Sequence, residues 1–317
     1  MNKRKVVIIG DGMVGSSIAY SLLINSAAKN IVIIDLLKEK AEGDALDMNH
    51  AMSLYTPKDI KAGDYEDISD AHIIIITAGA NQKPGETRID LLNKNEKILD
   101  GIFENMRPYL NKDSIILMVT NPVDILTHYT YTNLGLPAKQ VIGSGTVLDS
   151  ARLRYLLSKD TGIDPRNIHA YVIGEHGDSE LMAYSITSIG GVPIYDFCTK
   201  CLTHKGKTFS PTRLKEIEKD VINSAYTIID KKGSTYYGIA AAVVRIVDSI
   251  INDTNSILTI SSYIESAFDG RIQDVYLSVP SIVTSKGVKQ TIWPIYSKDE
   301  KEALIASADK IKSLIKK

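Results

Sequence analysis

A glycine-rich turn between an apolar run and a helix-forming stretch most constrains the fold of this chain. Residues 6–9, Val-Val-Ile-Ile, are typical of a strand buried on both faces. The motif G-D-G-M-V-G follows at residues 10–15, and residues 16–27 predict a helix. A second apolar run, residues 31–35, ends in Asp35, twenty residues after the last glycine of the motif. This pattern predicts a dinucleotide-binding unit, because a strand leads through a G-x-G-x-x-G turn into a helix and an acid follows at the expected distance.

Each glycine of the motif, and the acid after the second strand, has a physical reason in such a unit. Gly10 makes the turn, Gly12 lets the backbone approach a pyrophosphate, and Gly15 lets helix and strand pack closely. The N-terminus of the helix offers free N–H groups and a positive dipole to phosphates. Asp35 can accept hydrogen bonds from both ribose hydroxyls and repels a 2′-phosphate, which favours NAD over NADP. A glycine-rich turn without a ligand is the alternative.

Strands and helices continue to alternate along the first half of the chain. Residues 42–54 and 91–106 predict helices, and residues 73–76 and 114–119 predict buried strands. This order predicts an α/β fold with a Rossmann-type, doubly wound parallel sheet whose ligands bind at the carboxyl ends of the strands. The residues expected to bind the cofactor are Gly10, Gly12, Met13, Val14, Gly15, Asp35, Thr77, Ala78, Gly79 and Asn121.

The second half is expected to form a mixed α+β substrate or catalytic domain. The small residues 143–146, Gly-Ser-Gly-Thr, mark the expected boundary, which assigns residues 1–142 to a dinucleotide-binding domain and 143–317 to the catalytic domain. Residues 275–279 and 287–292 predict antiparallel strands.

Composition and charge restrict the class of protein. Hydrophobic residues make up 44% and charged residues 24%, as in ordinary globular proteins. Lys and Arg number 37 against 38 Asp and Glu, so nothing in the balance points to nucleic acid or an anionic membrane as a partner. The apolar run at residues 6–9 is too short for a signal peptide, and no run has the length that spans a bilayer. A cytoplasmic enzyme or binding protein is expected.

The two cysteines and the last helix are further local signals. Cys198 and Cys201 form a C-x-x-C pair with His204 nearby, in a stretch (197–210) expected to be a polar surface loop. A closed zinc site needs a fourth ligand that the local sequence does not identify, so no metal site is predicted. Ser297 opens an S-x-x-E capping box, which predicts that the last helix begins there.

His176 is the first candidate for chemistry, because it follows an apolar run and is flanked by Gly174 and Gly177. A histidine donates and accepts protons near neutral pH, although a loop histidine satisfied by hydrogen bonds is the plainer interpretation. Asp149 and Arg152 lie three apart on a predicted helix and therefore share a face. Either they serve a site, Arg152 holding a carboxylate and Asp149 orienting a histidine, or they form a solvated ion pair.

Residues 78–88 follow the third strand and have the composition of a mobile loop that could close over a ligand and carry Arg88 into the site. A solvated loop with an exposed arginine is equally compatible with that composition.

The chain resembles bacterial L-lactate dehydrogenases of the lactate/malate dehydrogenase family over nearly its whole length. The stretches that carry the resemblance are the glycine motif, residues 82–88, Thr120-Asn121-Pro122, residues 149–152, residues 174–178 and G-S-T-Y-Y-G at 233–238.

The resemblance implies a reversible transfer of hydride between NADH and pyruvate, giving L-lactate and NAD⁺. It implies that His176 gives a proton to the carbonyl, that Asp149 orients His176, and that Arg152 clamps the substrate carboxylate. Arg88 is expected to polarise the carbonyl after loop closure. Asn121 and Thr235 complete the implied substrate pocket.

Gln82 distinguishes substrates in this resemblance. Malate dehydrogenases of the family place an arginine at the matching position to pair with the second carboxylate of oxaloacetate. A neutral Gln82 makes burial of that charge unfavourable and tolerates a methyl group, so pyruvate is expected. The adjacent Lys83 leaves oxaloacetate open, and a bulkier 2-oxo acid also remains open.

Regulation and assembly are implied by the resemblance as well. Arg154 and His169 match positions that bind fructose 1,6-bisphosphate between subunits, and Arg154 lies about 200° around the helix from the catalytic face. The expected protein is a cytoplasmic homotetramer of glycolysis and fermentation that this effector activates. Malate or broader 2-hydroxyacid dehydrogenases, and a non-catalytic NAD-binding protein on the same fold, are the alternatives. The second does not explain a complete set of His176, Asp149, Arg152 and Arg88.

Overall fold

A twisted parallel sheet carries the first half of the fold, and the computed structural model describes residues 1–80, 87–200 and 209–315. Its parallel strands are β1 (Asn2–Ile9), β2 (Asn30–Ile34), β3 (Asp59–Ala62), β4 (Ala71–Ile76), β5 (Ile115–Met118) and β6 (Val141–Gly143). Helices connect them: α1 (Met13–Asn25), α2 (Lys38–His50), α3 (Arg88–Met106) and α4 (Val123–Leu134). The predicted alternation of buried strands and helices is confirmed, with each boundary within a few residues of its expected place.

The second half is a mixture of helices and short strands. Its helices are α5 (Val147–Thr161), α6 (Ile194–Lys200), α7 (Pro211–Lys232), α8 (Tyr237–Ile251) and α9 (Lys298–Leu314). Its strands are β7 (Ile168–His169), β8 (Val172–Ile173), β9 (Leu181–Met182), β10 (Ser188–Ile189), β11 (Val192–Pro193), β12 (Ser256–Leu258), β13 (Ser261–Ala267), β14 (Ile272–Ser278), β15 (Ser281–Thr284) and β16 (Gly287–Thr291).

The order of strands in the large sheet creates the crevice that a ligand needs. Among the described residues the order is β3-β2-β1-β4-β5-β6-β13-β14, with β1 to β6 parallel. Successive strands add outward from β1 to β3, and the chain then returns to place β4 on the other side of β1. At such a switch point the connections leave in opposite directions, so a crevice opens beyond the carboxyl ends of β1 and β4.

Isoleucine-rich strands form cores on both faces of this sheet. Val7 and Ile74 pack on one face, and Ile8 and Ile75 pack on the other, all fully buried. Side chains alternate between the faces of a strand, so a continuous apolar run is needed where helices cover both sides. Among the described helices none is long and apolar enough to cross a membrane.

The two antiparallel strands predicted for residues 275–279 and 287–292 are confirmed as β14 and β16. β14 pairs with β13, which joins the large sheet where Ser261 lies opposite Gly143, and β16 pairs with β15. One expectation for the second half needs correction. The stretch expected to be a polar surface loop begins instead inside α6, whose Phe197 and Cys198 are buried.

The capping box at Ser297 is confirmed. Its hydroxyl accepts from the N–H of Glu300, whose carboxylate accepts from the N–H of Ser297, and α9 begins at the next residue. Leu304, Ala308 and Ile311 bury the apolar face of that helix. The predicted start of the last helix is therefore confirmed.

Candidate active site

The glycine motif forms a tight turn at the end of β1. Gly10 has φ +107°, a conformation that favours glycine, and a Cβ there would collide with the backbone of Ala78. A Cβ on Gly15 would collide with the carbonyl oxygen of Gly10. Thr77, at the end of β4, donates its hydroxyl to that same oxygen at 2.7 Å. The turn is thus packed directly against the switch point of the sheet.

Gly12 differs from Gly10 and Gly15 because the space around its Cβ position is empty. A Cβ built there meets no atom within 4 Å, and Gly12 caps α1 without a side-chain hydrogen bond from the described residues. The first N–H groups of α1 are therefore left for a ligand, together with the positive end of the helix dipole.

Gly12 borders a cavity of about 530 Å³, called here the glycine-loop cavity. Its lining includes Gly12, Met13, Val14, Thr77, Gly79, Ala80, Thr120, Asn121, Ser144, Gly145, Gly233, Ser234 and Thr235. Of the residues expected to bind a cofactor, four are not part of this lining: Gly10, Gly15, Asp35 and Ala78. A cavity of small residues at a helix N-terminus suits a phosphate-bearing ligand.

Asp35 is held in place by two backbone N–H groups, one of which lies within the glycine motif. Its Oδ2 accepts from the N–H of Asp11 at 2.6 Å, and its Oδ1 accepts from the N–H of Leu37 at 2.8 Å. Asp11 is buried 3.0 Å from Lys40 Nζ, and burial raises the pKa of Asp11 to about 6 although Lys40 opposes the shift. The carboxyl groups of Asp11 and Asp35 at this position would repel the negative charge of a 2′-phosphate.

Asn95 joins the ends of two neighbouring strands. It is fully buried on α3, where its Oδ1 accepts from the N–H of Ala80 at 2.7 Å and its Nδ2 donates to the carbonyl oxygen of Asn121 at 2.8 Å. The segment after β4 and the segment after β5 are thereby held together, which positions Asn121 at the crevice.

His176, Asp149 and Arg152 meet in one hydrogen-bonded group. The Nδ1–H of His176 donates to Asp149 Oδ2 at 2.7 Å, and Arg152 Nη1 donates to Asp149 Oδ1 at 2.6 Å. The side chain of Asp149 is 1% exposed and that of His176 is 25% exposed. Asp149 therefore accepts hydrogen bonds from both His176 and Arg152, the two partners that the sequence suggested for it. The other ring nitrogen of His176, Nε2, can contact a ligand.

The backbone around His176 explains why the ring is presented here. Gly174 follows β8 with φ +97° and exchanges hydrogen bonds with Ser278 of β14, at 2.9 and 3.1 Å. The N–H of His176 donates to Asp124 Oδ2 at 2.7 Å, and Ser261 donates to Asp124 Oδ1 at 2.6 Å. Asp124, buried on α4, thus fixes the segment 174–180, called here the catalytic loop, to the first half of the chain.

Charges around His176 favour its protonated form. Burial acts to lower the pKa of His176, but the attraction and hydrogen bond of Asp149, with smaller contributions from Glu180 and Asp124, raise it to about 9. Burial acts to raise the pKa of Asp149, but His176 and then Arg152 hold it below its usual value. The pair is therefore carboxylate and imidazolium at neutral pH.

The C-terminal helix also supports this loop. The N–H of Glu175 donates to Ser307 Oγ at 2.8 Å, and Lys310 donates to Glu175 Oε2 at 2.7 Å. The hydroxyl of Ser179 donates to the same carboxylate. Residues on α9 thereby restrain the backbone on either side of His176.

A second, smaller cavity of about 210 Å³ lies beside His176 and is called here the His176 cavity. Apolar walls from α3, α4 and α7 face the polar residues Asp149, Arg152, His176, Asp178 and Glu180. Asn121, Arg152 and His176 border both cavities. A group bound in one cavity therefore lies next to a group bound in the other.

Arg154 lies away from both cavities, as its position on α5 predicts. Its Nε donates to the backbone oxygen of Ala170 at 3.0 Å, next to the exposed His169, and its guanidinium stacks 5.6 Å from the ring centre of Tyr171. Burial, with Arg245 nearby, lowers its pKa.

Several expected residues lie outside the described structure. They are Gln82 and Lys83, the side chain of Arg88, and Cys201 and His204 of the cysteine stretch. Cys198 is described, and burial raises the pKa of its thiol to about 11, which disfavours the reactive thiolate.

Sequence reasoning missed Asp124 and Glu180. Asp124 lies three residues after Asn121, and Glu180 lies four residues after His176. An acid near a candidate residue is too common to single out. Only the packing of α4 and α5 against the loop shows that Asp124 holds the backbone of His176 and that Glu180 lines the cavity beside it.

Two family models match the chain in succession. The NAD-binding domain of lactate/malate dehydrogenases matches residues 4–143, and their alpha/beta C-terminal domain matches residues 146–317. The chain belongs to the lactate/malate dehydrogenase family. As a member it is an NAD-dependent oxidoreductase, and the open Gly12, the uncapped helix and Asp35 fit that cofactor.

Relatives within the lactate/malate dehydrogenase family place the chain on its L-lactate dehydrogenase side. The L-lactate dehydrogenase of Thermoanaerobacter pseudethanolicus is 52% identical over 98% of both chains. L-lactate dehydrogenase 1 of Clostridium acetobutylicum is 48% identical over 97% of this chain and 96% of its own length.

Solved structures agree on the fold. A lactate dehydrogenase enzyme from a Medee basin deep-sea metagenome library superposes with a TM-score of 0.93 at 40% identity, covering 99% of this chain and 98% of its own. The minor L-lactate dehydrogenase of Enterococcus mundtii in its ligands-bound form gives 0.91 at 39% identity, covering 98% and 97%.

Proposed function

We propose that the protein is an L-lactate dehydrogenase that transfers hydride reversibly between NADH and pyruvate. The observation that carries this proposal is the sharing of Asn121, Arg152 and His176 between the glycine-loop cavity and the His176 cavity. The names of its relatives support the same reaction. The proposal assigns residues 1–142 to cofactor binding and residues 143–317 to substrate binding and catalysis.

The chain's own groups provide the proton and the anchor for pyruvate. NADH, when bound, supplies the hydride to the carbonyl carbon. His176 gives the proton on Nε2 to the carbonyl oxygen, because its Nδ1–H is committed to Asp149. Asp149 keeps the ring charged before the transfer and correctly oriented after it. In the oxidation of lactate, neutral His176 takes the proton back.

Arg152 is proposed to bind the substrate carboxylate with two parallel hydrogen bonds. One guanidinium nitrogen is engaged by Asp149, which fixes the plane of the group and leaves other N–H donors for an anion. Asn121 and Thr235 line the neighbouring surface, and Arg88 is proposed to enter on loop closure. Holding the carboxylate fixes the carbonyl relative to both the hydride donor and His176.

The choice of pyruvate over oxaloacetate rests on Gln82. A neutral side chain at this position leaves a second substrate carboxylate unpaired in a small, largely apolar cavity, which disfavours oxaloacetate. Malate dehydrogenase activity is the second candidate, because Lys83 could supply a charge instead.

An effector site at a subunit interface is also proposed. Arg154 donates to the backbone oxygen of Ala170, the residue after the exposed His169, and Arg245 is nearby; such a cluster of cations suits fructose 1,6-bisphosphate. The proposed form is a cytoplasmic homotetramer that acts in glycolysis and fermentation.

One assay tests substrate and effector together. NADH absorbance is followed with pyruvate or oxaloacetate, each with and without fructose 1,6-bisphosphate. We expect a preference for pyruvate of at least about a hundredfold in kcat/KM, and activation that is lost in Arg154→Gln but kept in the exposed control Arg166→Gln. A preference for oxaloacetate contradicts the lactate assignment, and indifference of the unmodified enzyme to the bisphosphate contradicts the effector site alone.

A further inference from the structure

Glu180 lines the His176 cavity, but neither the hydride transfer nor the proton transfer proposed above involves its carboxyl group. It lies just before β9 and is 7% exposed. One of its carboxyl oxygens, a ring nitrogen of His176 and a carboxylate oxygen of Asp149 all lie within 4.8 Å of one another. Glu180 therefore belongs to the charged group on which the substrate anion must bind.

The groups that face Glu180 come from several elements. Asp149 and Arg152 reach it from α5, and His176 and the N–H of Gly177 come from the catalytic loop. Other polar groups of the same cavity are Asp178 and, on α7, Tyr226, whose hydroxyl donates to Asp178 at 2.9 Å. Asn121 also lines the cavity, as does Glu175, whose carboxylate accepts from Lys310. The remaining neighbours on α3 and α4 are apolar: Ile89, Leu91, Leu92 and Ile125.

The balance of charge in this group changes when a substrate binds. With His176 and Arg152 positive and Asp149 and Glu180 negative, the four groups sum to zero. A 2-oxo acid adds one negative charge to a cavity of about 210 Å³ with apolar walls. An uncompensated charge in such surroundings is strongly unfavourable, and a group that can change its protonation does so instead.

Glu180 is the group that can neutralise the excess charge. His176 must keep its proton to deliver it, and Asp149 is held ionised by its two cationic partners. We propose that the anionic 2-oxo acid binds only when the carboxyl group of Glu180 carries a proton, so that Glu180 sets the alkaline limit of substrate binding. This inference rests on the proposed function and concerns the same cavity.

The acidity of Glu180 agrees with this role. Burial, and then the nearby Asp149, raise the pKa of Glu180 to about 8, although His176 and Arg152 oppose the shift. At neutral pH the carboxyl group is mostly protonated and the anion binds freely. As the pH rises through about 8, Glu180 ionises and the anion must displace a like charge. Any proton needed for binding then comes from the solvent.

Glu180 does not give its proton to the substrate, so its effect falls on affinity and not on turnover. A structural role, or a role in stabilising protonated His176, predicts a different result. If ionised Glu180 mainly supported the imidazolium, its removal would lower the pKa of His176 and move the alkaline limit to lower pH. The proposal predicts a move to higher pH.

The test compares the unmodified enzyme with Glu180→Gln and with a matched control, Glu218→Gln. Glu218 is a half-buried glutamate on α7 whose pKa burial also raises, and it lines neither cavity. With NADH bound, the affinity for oxamate, an anionic analogue of pyruvate, is measured from about pH 6 to 10, together with KM and kcat for pyruvate.

At about pH 6 we expect the three proteins to bind oxamate alike. At about pH 9 the unmodified enzyme and Glu218→Gln should bind it about tenfold more weakly than Glu180→Gln, since one required proton costs a factor of ten per pH unit above its pKa. KM for pyruvate should follow the same pattern while kcat stays within about twofold. An unchanged profile in Glu180→Gln, or a limit moved to lower pH, overturns the proposal.

A second measurement uses the unmodified enzyme and does not depend on the variant folding. The heat of oxamate binding at about pH 8.5, recorded in two buffers with different ionisation heats, gives the number of protons taken up. We expect most of one proton, and the absence of uptake contradicts the role of Glu180. Because this titration needs no turnover, it stays informative if pyruvate proves to be a poor substrate, which would contradict the proposed function instead.

Discussion

The two adjoining cavities are built in different ways. The glycine-loop cavity is shaped mainly by backbone and small residues, with glycines at positions 12, 79, 145 and 233 in its lining. The His176 cavity is shaped by side chains, and most of its polar groups are ionisable side chains from α5 and the catalytic loop. The glycine-loop cavity therefore offers a ligand open space, backbone N–H groups and a helix dipole. The His176 cavity offers charged side chains.

This difference predicts different consequences of substitution. Changes in the glycine-loop cavity should alter affinity for NADH and leave chemistry intact once the cofactor is saturating. Changes in the His176 cavity should alter turnover or substrate affinity, and the dependence of either on pH, because each ionisable group there affects the protonation of its neighbours. Substitutions that separate these effects test the comparison directly.

His176→Asn should have the largest effect. Asparagine keeps a polar side chain of smaller size but cannot transfer a proton, so kcat for pyruvate should fall by about 10²–10⁴-fold. The affinity for NADH, measured by fluorescence titration, should stay within about twofold. A loss of turnover below tenfold would show that another group supplies the proton.

Asp149→Asn should change the pH dependence of turnover. Without the carboxylate, the pKa of His176 falls from about 9 toward its ordinary 6.5. Pyruvate reduction needs protonated His176, so kcat at saturating pyruvate, which persists up to about pH 9 in the unmodified enzyme, should be lost already above about pH 7. At pH 8 the loss should reach about 10–100-fold, and at pH 6 it should be much smaller. Initial rates across this range check the prediction, and an unmoved alkaline limit argues against it.

Gly12→Val should weaken cofactor binding without unfolding the protein. Gly12 has φ −73°, which any residue can adopt, and its Cβ position is open to the glycine-loop cavity. The added side chain should take the space of the pyrophosphate and raise the dissociation constant of NADH about tenfold, close to 1.4 kcal/mol.

The matched control for Gly12→Val is Gly43→Val. Gly43 is an exposed helical glycine with equally open space around its Cβ position, but it lies on α2 outside the cavity. Its substitution should leave NADH binding unchanged. Equal effects of both substitutions would mean that the loss comes from the backbone and not from the cavity.

The same contrast explains how much could be predicted from the sequence. The turn at Gly10, the strand ending at Asp35 and the alternation of helices and strands are local patterns, and each is confirmed. Strands such as β7 to β11 have two residues each, too few for any periodicity to show. The stretch at Phe197 was misjudged as a loop because its polar residues outnumber the apolar ones that tertiary packing buries in α6.

The His176 cavity was predictable as a set of residues but not as a geometry. Spacing along α5 indicated that Asp149 and Arg152 share a face, whereas their approach to His176, about 25 residues later, depends on packing of α5 against β8. The resemblance to a family supplied that link. Asp124 and Glu180 gave no local signal, because only burial beside His176 distinguishes them from surface acids.

Ser307→Ala should have the smallest effect, and it sharpens the comparison by showing how far the His176 cavity depends on remote support. Ser307 is 1% exposed on α9, accepts from the N–H of Glu175 at 2.8 Å and lies 3.0 Å from the hydroxyl of Ser179. Its loss leaves a buried N–H unsatisfied and should lower the free energy of unfolding by about 1–2 kcal/mol, with kcat changed only a few fold.

Ser313→Ala, an exposed position on the same helix, should change that free energy by less than about 0.5 kcal/mol. Urea denaturation of both variants measures the difference. If Ser307→Ala lowers stability but leaves the pH profile of turnover unchanged, α9 supports the catalytic loop as a whole. A shifted profile would mean instead that this helix sets the position of His176 relative to Asp149.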